Sequence, residues 1–134
     1  MKHDIVIPEV KNVTVAVVRE YDLLHQEEWK VYLLNKNDCA LENTLVSSKG
    51  YGEQQGEPQR TSVLRHFLQT VSAHESVIIE TIQRAVFHLA NEYWVSYYIG
   101  GQIFDRRFVF VPGSICEENL TYIPELEKEG ILHS

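Results

Sequence analysis

Two aromatic and β-branched runs, separated by a Gly-Gly pair, constrain the fold of this chain most. The runs span residues 93–99 and 102–111, and Gly100-Gly101 lies between them. A two-residue connection of this composition favours a type I′ turn, because both central residues of that turn need positive φ. The sequence therefore predicts an antiparallel hairpin whose register is set by its turn.

Counting outward from the turn predicts which side chains face each other. Two aromatic pairs result, each worth about 0.2–1 kcal/mol beyond an alanine pair. They are Tyr97–Phe104 and Tyr93–Phe108. The remaining predicted pairs are Ser96–Asp105, Val95–Arg106 and Trp94–Arg107. One face of the hairpin is thus apolar and the other partly wet, with Trp94 and Arg107 placed for a cation–π contact.

Residues 28–52, EWKVYLLNKNDCALENTLVSSKGYG, form a second organising stretch. Its first run has apolar side chains on both faces, Trp29 and Val31 against Tyr32 and Leu34, as in a strand covered on two sides. The following NKND sequence favours a turn, since Asn and Asp hydrogen-bond their own backbone. The alternating residues 41–48 then predict a second strand. We expect these two strands to form a hairpin, with the first strand central in its sheet.

The remaining segments have less distinctive hydrophobic patterns, from which we predict their secondary structure. β-Branched alternation predicts strands over residues 13–18 and 77–82. Residues 61–71 and 84–90 fit both a helix and a strand, and we favour a strand for each. The polar segments lack such alternation: EQQGEPQR at 53–60 is expected to be a mobile loop, and the acidic tail 117–134 a loosely packed extension or a short helix over 124–129.

These elements predict an all-β fold in a single domain spanning residues 1–134. About seven short strands with hairpin turns, without alternating helices, are typical of an antiparallel β-sandwich that is immunoglobulin-like in the broad sense. The length of 134 residues and the 44% hydrophobic content suit one core.

Charge and cysteine content exclude several classes of function. A net charge of −7 disfavours nucleic-acid binding, which depends on Lys and Arg displacing counterions. The two cysteines, Cys39 and Cys116, are too few for a disulfide scaffold and are expected to be free thiols. We find no pattern of a signal peptide or a membrane span, so we expect a cytoplasmic protein.

No residue pattern predicts a catalytic, cofactor-binding or metal site. The six histidines lack the short ligand spacing of HxH or HExxH. An alternative remains open, in which His66 or His88 joins a carboxylate such as Glu80 or Asp105 in a cleft. That arrangement would make the protein a small-ligand-binding protein or a hydrolytic enzyme.

The leading functional prediction is a non-enzymatic interaction module, binding another protein or itself. Aromatic and Arg side chains are enriched at protein interfaces, and the second hairpin is rich in both. Tyr51 adds an aromatic side chain flanked by Gly50 and Gly52. The predicted partner surface consists of Tyr51, Trp94, Tyr98, Arg106 and Arg107.

The chain also resembles a family of small uncharacterised Bacteroidota proteins over nearly its full length. The shared stretches are IPEVKNVTVAVVRE (7–20), EWKVYLLNKND (28–38), LENTLVSSKGYG (41–52), TSVLRH (61–66) and NEYWVSYYIGGQIFDRRFVFVPGSI (91–115). Members of that family are often labelled as a phenylalanyl-tRNA synthetase subunit. The resemblance implies a compact single domain and, as a further alternative, an accessory role to that synthetase; it transfers no functional residue.

Overall fold

The computed structural model describes residues 8–133, and its regular structure is almost entirely β-strand. The strands are β1 Val13–Tyr21, β2 Glu27–Asn35, β3 Leu41–Gln54, β4 Glu57–Arg60, β5 Leu64–Val71, β6 Ser76–Ile82, β7 Ala90–Ile99, β8 Gln102–Phe110, β9 Thr121–Ile123 and β10 Lys128–His133. Two 3₁₀ turns occupy Arg84–Val86 and Glu117–Asn119. Within residues 8–133, no helix has the length and apolarity needed to cross a membrane. The outermost residues of the predicted domain, 1–7 and 134, lie outside the described range.

The strands form two antiparallel sheets. The first sheet has the order β6-β2-β1-β10-β9, and the second has the order β4-β3-β7-β8, with β5 also pairing with β3. The predicted all-β sandwich is therefore confirmed, although residues 8–133 contain ten strands instead of the expected seven or so. The strands β4, β9 and β10 were missed because they are short and carry little apolar alternation.

The main core lies between the sheets and follows from the period-two pattern of the strands. Alternate residues of β1 and β2, such as Val15, Val17 and Leu33, are fully buried on the inward side of the first sheet. They pack in one cluster with inward residues of the second sheet, including Tyr93 and Phe108. Burying side chains of this size stabilises the fold by about 1.5–3 kcal/mol each.

The β7–β8 hairpin forms in the predicted register. Gly100 and Gly101 have φ of 55° and 78°, so both occupy the left-handed region that the turn requires. Tyr97 lies opposite Phe104, and their rings stack with centroids 5.4 Å apart. All five predicted cross-strand pairs are confirmed.

The predicted hairpin over residues 28–52 is wrong, because its two strands belong to different sheets. β2 pairs with β1 and β6, whereas β3 pairs with β4, β5 and β7. Asn35, only 2% exposed, holds the connection between the sheets by donating to the carbonyls of Cys39, Val71 and Ser72. The chain bends after β2, where the Asn37 N–H donates to Asn35 Oδ1, but residues of this type suit an inter-sheet connection as well as a hairpin. β2 is an interior strand, between β6 at the edge and β1 in the middle of the sheet, and its predicted burial on both faces is confirmed.

The C-terminal segment covers the outer face of the first sheet. Ala16, Val18, Tyr32 and Leu34 point away from the main core and are buried together with Ile123. The loosely packed tail or short helix expected for 117–134 is therefore wrong, because Ile123 and neighbouring Leu126 supply the second cover that β1 and β2 need. β10 also adds an inner strand to the sheet, between β1 and β9.

Two further segments differ from expectation. Residues 84–90 form a 3₁₀ turn that leads into β7 instead of a strand, and Asn91 ties that turn down by donating to the carbonyls of Val86 and Leu89. Residues 53–60 are a β3–β4 hairpin around Gln55-Gly56 and not an irregular loop. The strand favoured within residues 61–71 is confirmed as Leu64–Val71.

Candidate functional site

The outer face of the second sheet exposes a group of large apolar side chains. We call this group the aromatic face; its members are Leu45, Phe67, Trp94, Tyr98 and Ile103. Each is between 37% and 61% exposed. The alternate residues of the same strands fill the main core, so strand periodicity alone forces these side chains outward.

Strand pairing spreads the aromatic face across four neighbouring strands, on a surface that it shares with Ser96 and Asp105. Leu45 on β3 lies directly opposite Phe67 on β5 and Ser96 on β7. Tyr98 lies two residues after Ser96 on the same face and pairs with Ile103 on β8. The apolar surface thus crosses four neighbouring strands. Exposed apolar side chains grouped on one face mark binding sites on soluble proteins.

Arginines border the aromatic face. One row across the sheet contains Arg65, Ser47, Trp94 and Arg107, one residue from each strand. The guanidinium of Arg107 lies 4.6 Å from the centroid of the Trp94 ring, which confirms the predicted cation–π contact. A cation stacked on one face of an exposed indole limits the orientations that the ring can adopt.

Tyr51, Lys49 and Glu92 form a polar corner beside this row. The Glu92 carboxylate, in a residue only 7% exposed, lies 3.7 Å from Lys49 Nζ and accepts a hydrogen bond of 3.4 Å from the Tyr51 hydroxyl. Desolvation, together with the Glu92 charge, raises the pKa of Tyr51. Tyr51 is therefore a neutral hydrogen-bond donor at physiological pH.

Four of the five residues of the predicted partner surface share the outer face: Tyr51, Trp94, Tyr98 and Arg107. Arg106 does not, because it lies opposite buried Val95 and its guanidinium sits 4.6 Å from the Phe108 ring on the inward side. The prediction missed Ile103, whose outward position follows from the register of the β7–β8 hairpin. It also missed Leu45 and Phe67. Their pairing joins strands distant in sequence, and only the weak alternation of residues 64–68 hints at it.

A second candidate site centres on Glu80, which connects the two sheets. Glu80 lies on β6 of the first sheet, and its Oε1 accepts a 2.7 Å hydrogen bond from Ser48 Oγ on the second. His66 Nε2 is 2.8 Å from the same oxygen. The Tyr93 hydroxyl donates to Oε2 at 2.9 Å. Burial, reinforced by the Glu80 charge, raises the pKa of Tyr93 far above its ordinary value, so it remains a donor.

This second site adjoins a cavity of about 250 Å³ that Ser48, Glu80 and Tyr93 help to line. The predicted contact of His66 with Glu80 is observed, although His66 itself does not line the cavity. The chemistry differs from nucleophilic catalysis, because Ser48 and His66 both bind the carboxylate and neither activates the other. His88 contacts Gln59 Oε1 at 2.7 Å, and no carboxylate of residues 8–133 pairs with it.

The remaining predicted reactive groups are dispersed. Asp105 lies on the outer face of the second sheet, opposite Ser96. Cys39 and Cys116 are free thiols, as predicted. Among the residues that the structure describes, no cluster of three or more His, Cys, Asp or Glu side chains could hold a metal ion.

Fold and surface together define an all-β sandwich with an exposed aromatic face. Comparisons with protein-family models, curated proteins and solved structures returned no match. The resemblance to small Bacteroidota proteins stays a prediction.

Proposed function

We propose that this chain is a non-enzymatic interaction module of the cytoplasm that binds a protein partner through the aromatic face. The observation that supports the proposal is the set of exposed apolar side chains on one outer face, where Phe67 pairs with Leu45 and Tyr98 pairs with Ile103. Exposure of these apolar side chains to water is unfavourable. Covering the exposed half of one such side chain would stabilise a complex by roughly 1 kcal/mol.

Rigidity of the surface supports the same function. The aromatic face rests on strands whose opposite side chains are buried, and Arg107 packs on Trp94. Binding therefore orders few additional side chains, and the entropy cost of association is lower than for a loop. Trp, Tyr and Arg are also the residues that most often dominate binding energy at interfaces.

The proposal is tested by affinity purification of the tagged protein from its native cell, with quantitative mass spectrometry. The test variant combines Phe67→Ser with Trp94→Ala. The matched control combines Tyr122→Ala with Leu132→Ser, which removes exposed apolar side chains from the first sheet. Circular dichroism and thermal unfolding establish that all three proteins fold.

The expected result is a partner that the parent and the control retain and the test variant loses. A partner that all three proteins retain equally would contradict the proposal. A partner lost only by the control variant would indicate that the interface lies on the first sheet.

The contact between His66 and Glu80 favours a second candidate, binding of a small polar ligand at the cavity beside Glu80. Hydroxyl groups of Ser48 and Thr61 and the Glu80 carboxylate face this cavity, so a ligand with amine or hydroxyl groups suits it. A fragment screen by NMR tests this candidate. Hits whose shifts concentrate at Glu80 and vanish in Glu80→Gln support it, and hits confined to the aromatic face argue against it.

A further inference from the structure

We infer that the partner of the aromatic face presents an acidic segment with a large apolar side chain between two carboxylates. This inference rests on the proposed interaction function. It identifies the chemistry of the partner from the charges around the aromatic face.

The outer face of the second sheet carries Arg65 and Arg107 together with Asp105, and neither arginine forms an ion pair with a described residue. The chain is acidic, with 19 Asp and Glu against 12 Lys and Arg, so carboxylate partners are abundant. Most cations outside the second sheet form an ion pair, namely Arg19, Lys30, Lys36, Arg84 and Lys128, whereas Lys11 forms none within residues 8–133. On the second sheet, Lys49 pairs with Glu92. Within residues 8–133, no ion pair involves Arg60, Arg65 or Arg107, which all belong to the second sheet.

Two of these arginines lie at opposite ends of one row. Arg65 on β5 and Arg107 on β8 are separated by Ser47 on β3 and Trp94 on β7. Neighbouring strands are about 4.8 Å apart, so the row spans roughly 14 Å between the outer strands. Trp94, 42% exposed, lies between the two cations.

An extended peptide matches this spacing. Its residues rise about 3.3 Å each and every second side chain points to the same side, so side chains i and i+4 lie roughly 13 Å apart with i+2 between them. A segment with the pattern acid-x-apolar-x-acid can therefore place its two carboxylates near the strands that carry Arg65 and Arg107, and its central side chain against the exposed part of Trp94 that Arg107 does not cover. Arg–carboxylate pairs that also exclude water are stronger than isolated surface pairs.

The test uses three synthetic peptides that differ only at two positions: GSEAFAESG, GSQAFAQSG and GSKAFAKSG. Binding to the full chain is followed by NMR titration of the backbone amides. We expect the glutamate peptide to bind at least about tenfold more tightly than the glutamine peptide, with shifts centred on Trp94. The preference should weaken between about 50 and 500 mM salt, since screening shortens the range of charge interactions.

Charge reversal sharpens the test. The double variant Arg65→Glu with Arg107→Glu should lose the glutamate peptide and prefer the lysine peptide. The control double variant, Lys11→Glu with Lys36→Glu, changes the net charge equally away from the aromatic face and should bind like the parent.

The outcomes separate this inference from the proposed function. If the glutamate and glutamine peptides bind with equal affinity and Trp94→Ala abolishes both, the inference of an acidic segment is wrong. The proposal that the aromatic face binds a partner would still stand. If none of the three peptides binds, the inference of an acidic segment is also wrong. The affinity purification would still test the proposed interaction function separately. A homodimer in sedimentation equilibrium that dissociates on Trp94→Ala would assign the face to a second copy instead.

Discussion

The substitution Tyr93→Phe, which removes the hydroxyl group, tests whether the hydrogen bonds of Glu80 help to hold the two sheets together. Tyr93 is 1% exposed, and its hydroxyl donates to Glu80 Oε2 at 2.9 Å. Hydrogen bonds to a charged partner contribute about 1.5–3 kcal/mol to stability. Tyr93→Phe leaves Glu80 with two partners, Ser48 and His66, so the carboxylate is not orphaned and the lower half of that range applies. We expect a loss of about 1.5–2 kcal/mol.

The assay is equilibrium unfolding in urea at pH 7, with the midpoint and slope fitted for each protein. Tyr98→Phe is the matched control, because Tyr98 lies on the same strand with its side chain exposed on the outer face. Its loss should stay below about 0.5 kcal/mol, as for other surface substitutions.

A double-mutant cycle isolates the contact itself. Tyr93→Phe, Glu80→Gln and their combination should give a coupling energy of at least about 1 kcal/mol, since the two groups touch directly. Equal small losses for Tyr93→Phe and Tyr98→Phe, or a coupling energy near zero, would refute the view that Glu80 joins the sheets.

Three other substitutions test local features of the fold. Gly130→Ala should destabilise the protein by about 1–3 kcal/mol, because the added Cβ would lie 2.7 Å from a β1 carbonyl oxygen and 2.9 Å from an Ile123 methyl group; urea unfolding measures the loss. Gly101→Ala should cost about 1–2 kcal/mol through its φ of 78°, again measured in urea. Hydrogen bonds from Arg84 and then Trp29 lower the pKa of Glu27 to about 2, so its stabilisation is complete above pH 4.5 and disappears as the pH falls towards 2. Glu27→Gln should lose up to about 1 kcal/mol at pH 6, discounted for the exposure of the pair, and should match the parent near pH 2.

Controls and contrary results differ among these three. The control for Gly130→Ala is Glu129→Ala, which introduces an alanine at the preceding residue of β10 without adding a Cβ atom. An equal loss of stability from the two substitutions would contradict the packing argument. For the turn, a gain in stability from Gly101→Ala would contradict the left-handed requirement. For Glu27, a constant difference from the parent between pH 2 and 6 would contradict the lowered pKa.

Local sequence information was sufficient for the β7–β8 hairpin. Its turn and both strands are contiguous, so glycine chemistry and side-chain alternation determine every pair. The same register places Arg106 beside Val95 on the inward face, so assigning Arg106 to the partner surface contradicted the pattern that predicted the hairpin.

Contacts between distant segments could not be predicted in this way. Leu45 reaches Phe67 only because β3 and β5 pair through two register shifts, and nothing local encodes those shifts. Similarly, the two-sided apolar pattern of β2 correctly required a second cover, but the sequence did not reveal that Ile123 and Leu126 supply it. The aromatic face could thus be predicted in part, and its extension onto β3 and β5 required the structure.

Site-specific photo-crosslinking tests the aromatic face most directly. p-Benzoylphenylalanine replaces Tyr98 in one protein and Tyr122 in another, since both tyrosines are exposed but lie on different sheets. Irradiation in the native cell should produce a covalent adduct with a partner protein from position 98 and none from position 122. An adduct from position 122 alone, or no adduct from position 98, would contradict the assignment of the aromatic face as the interaction surface.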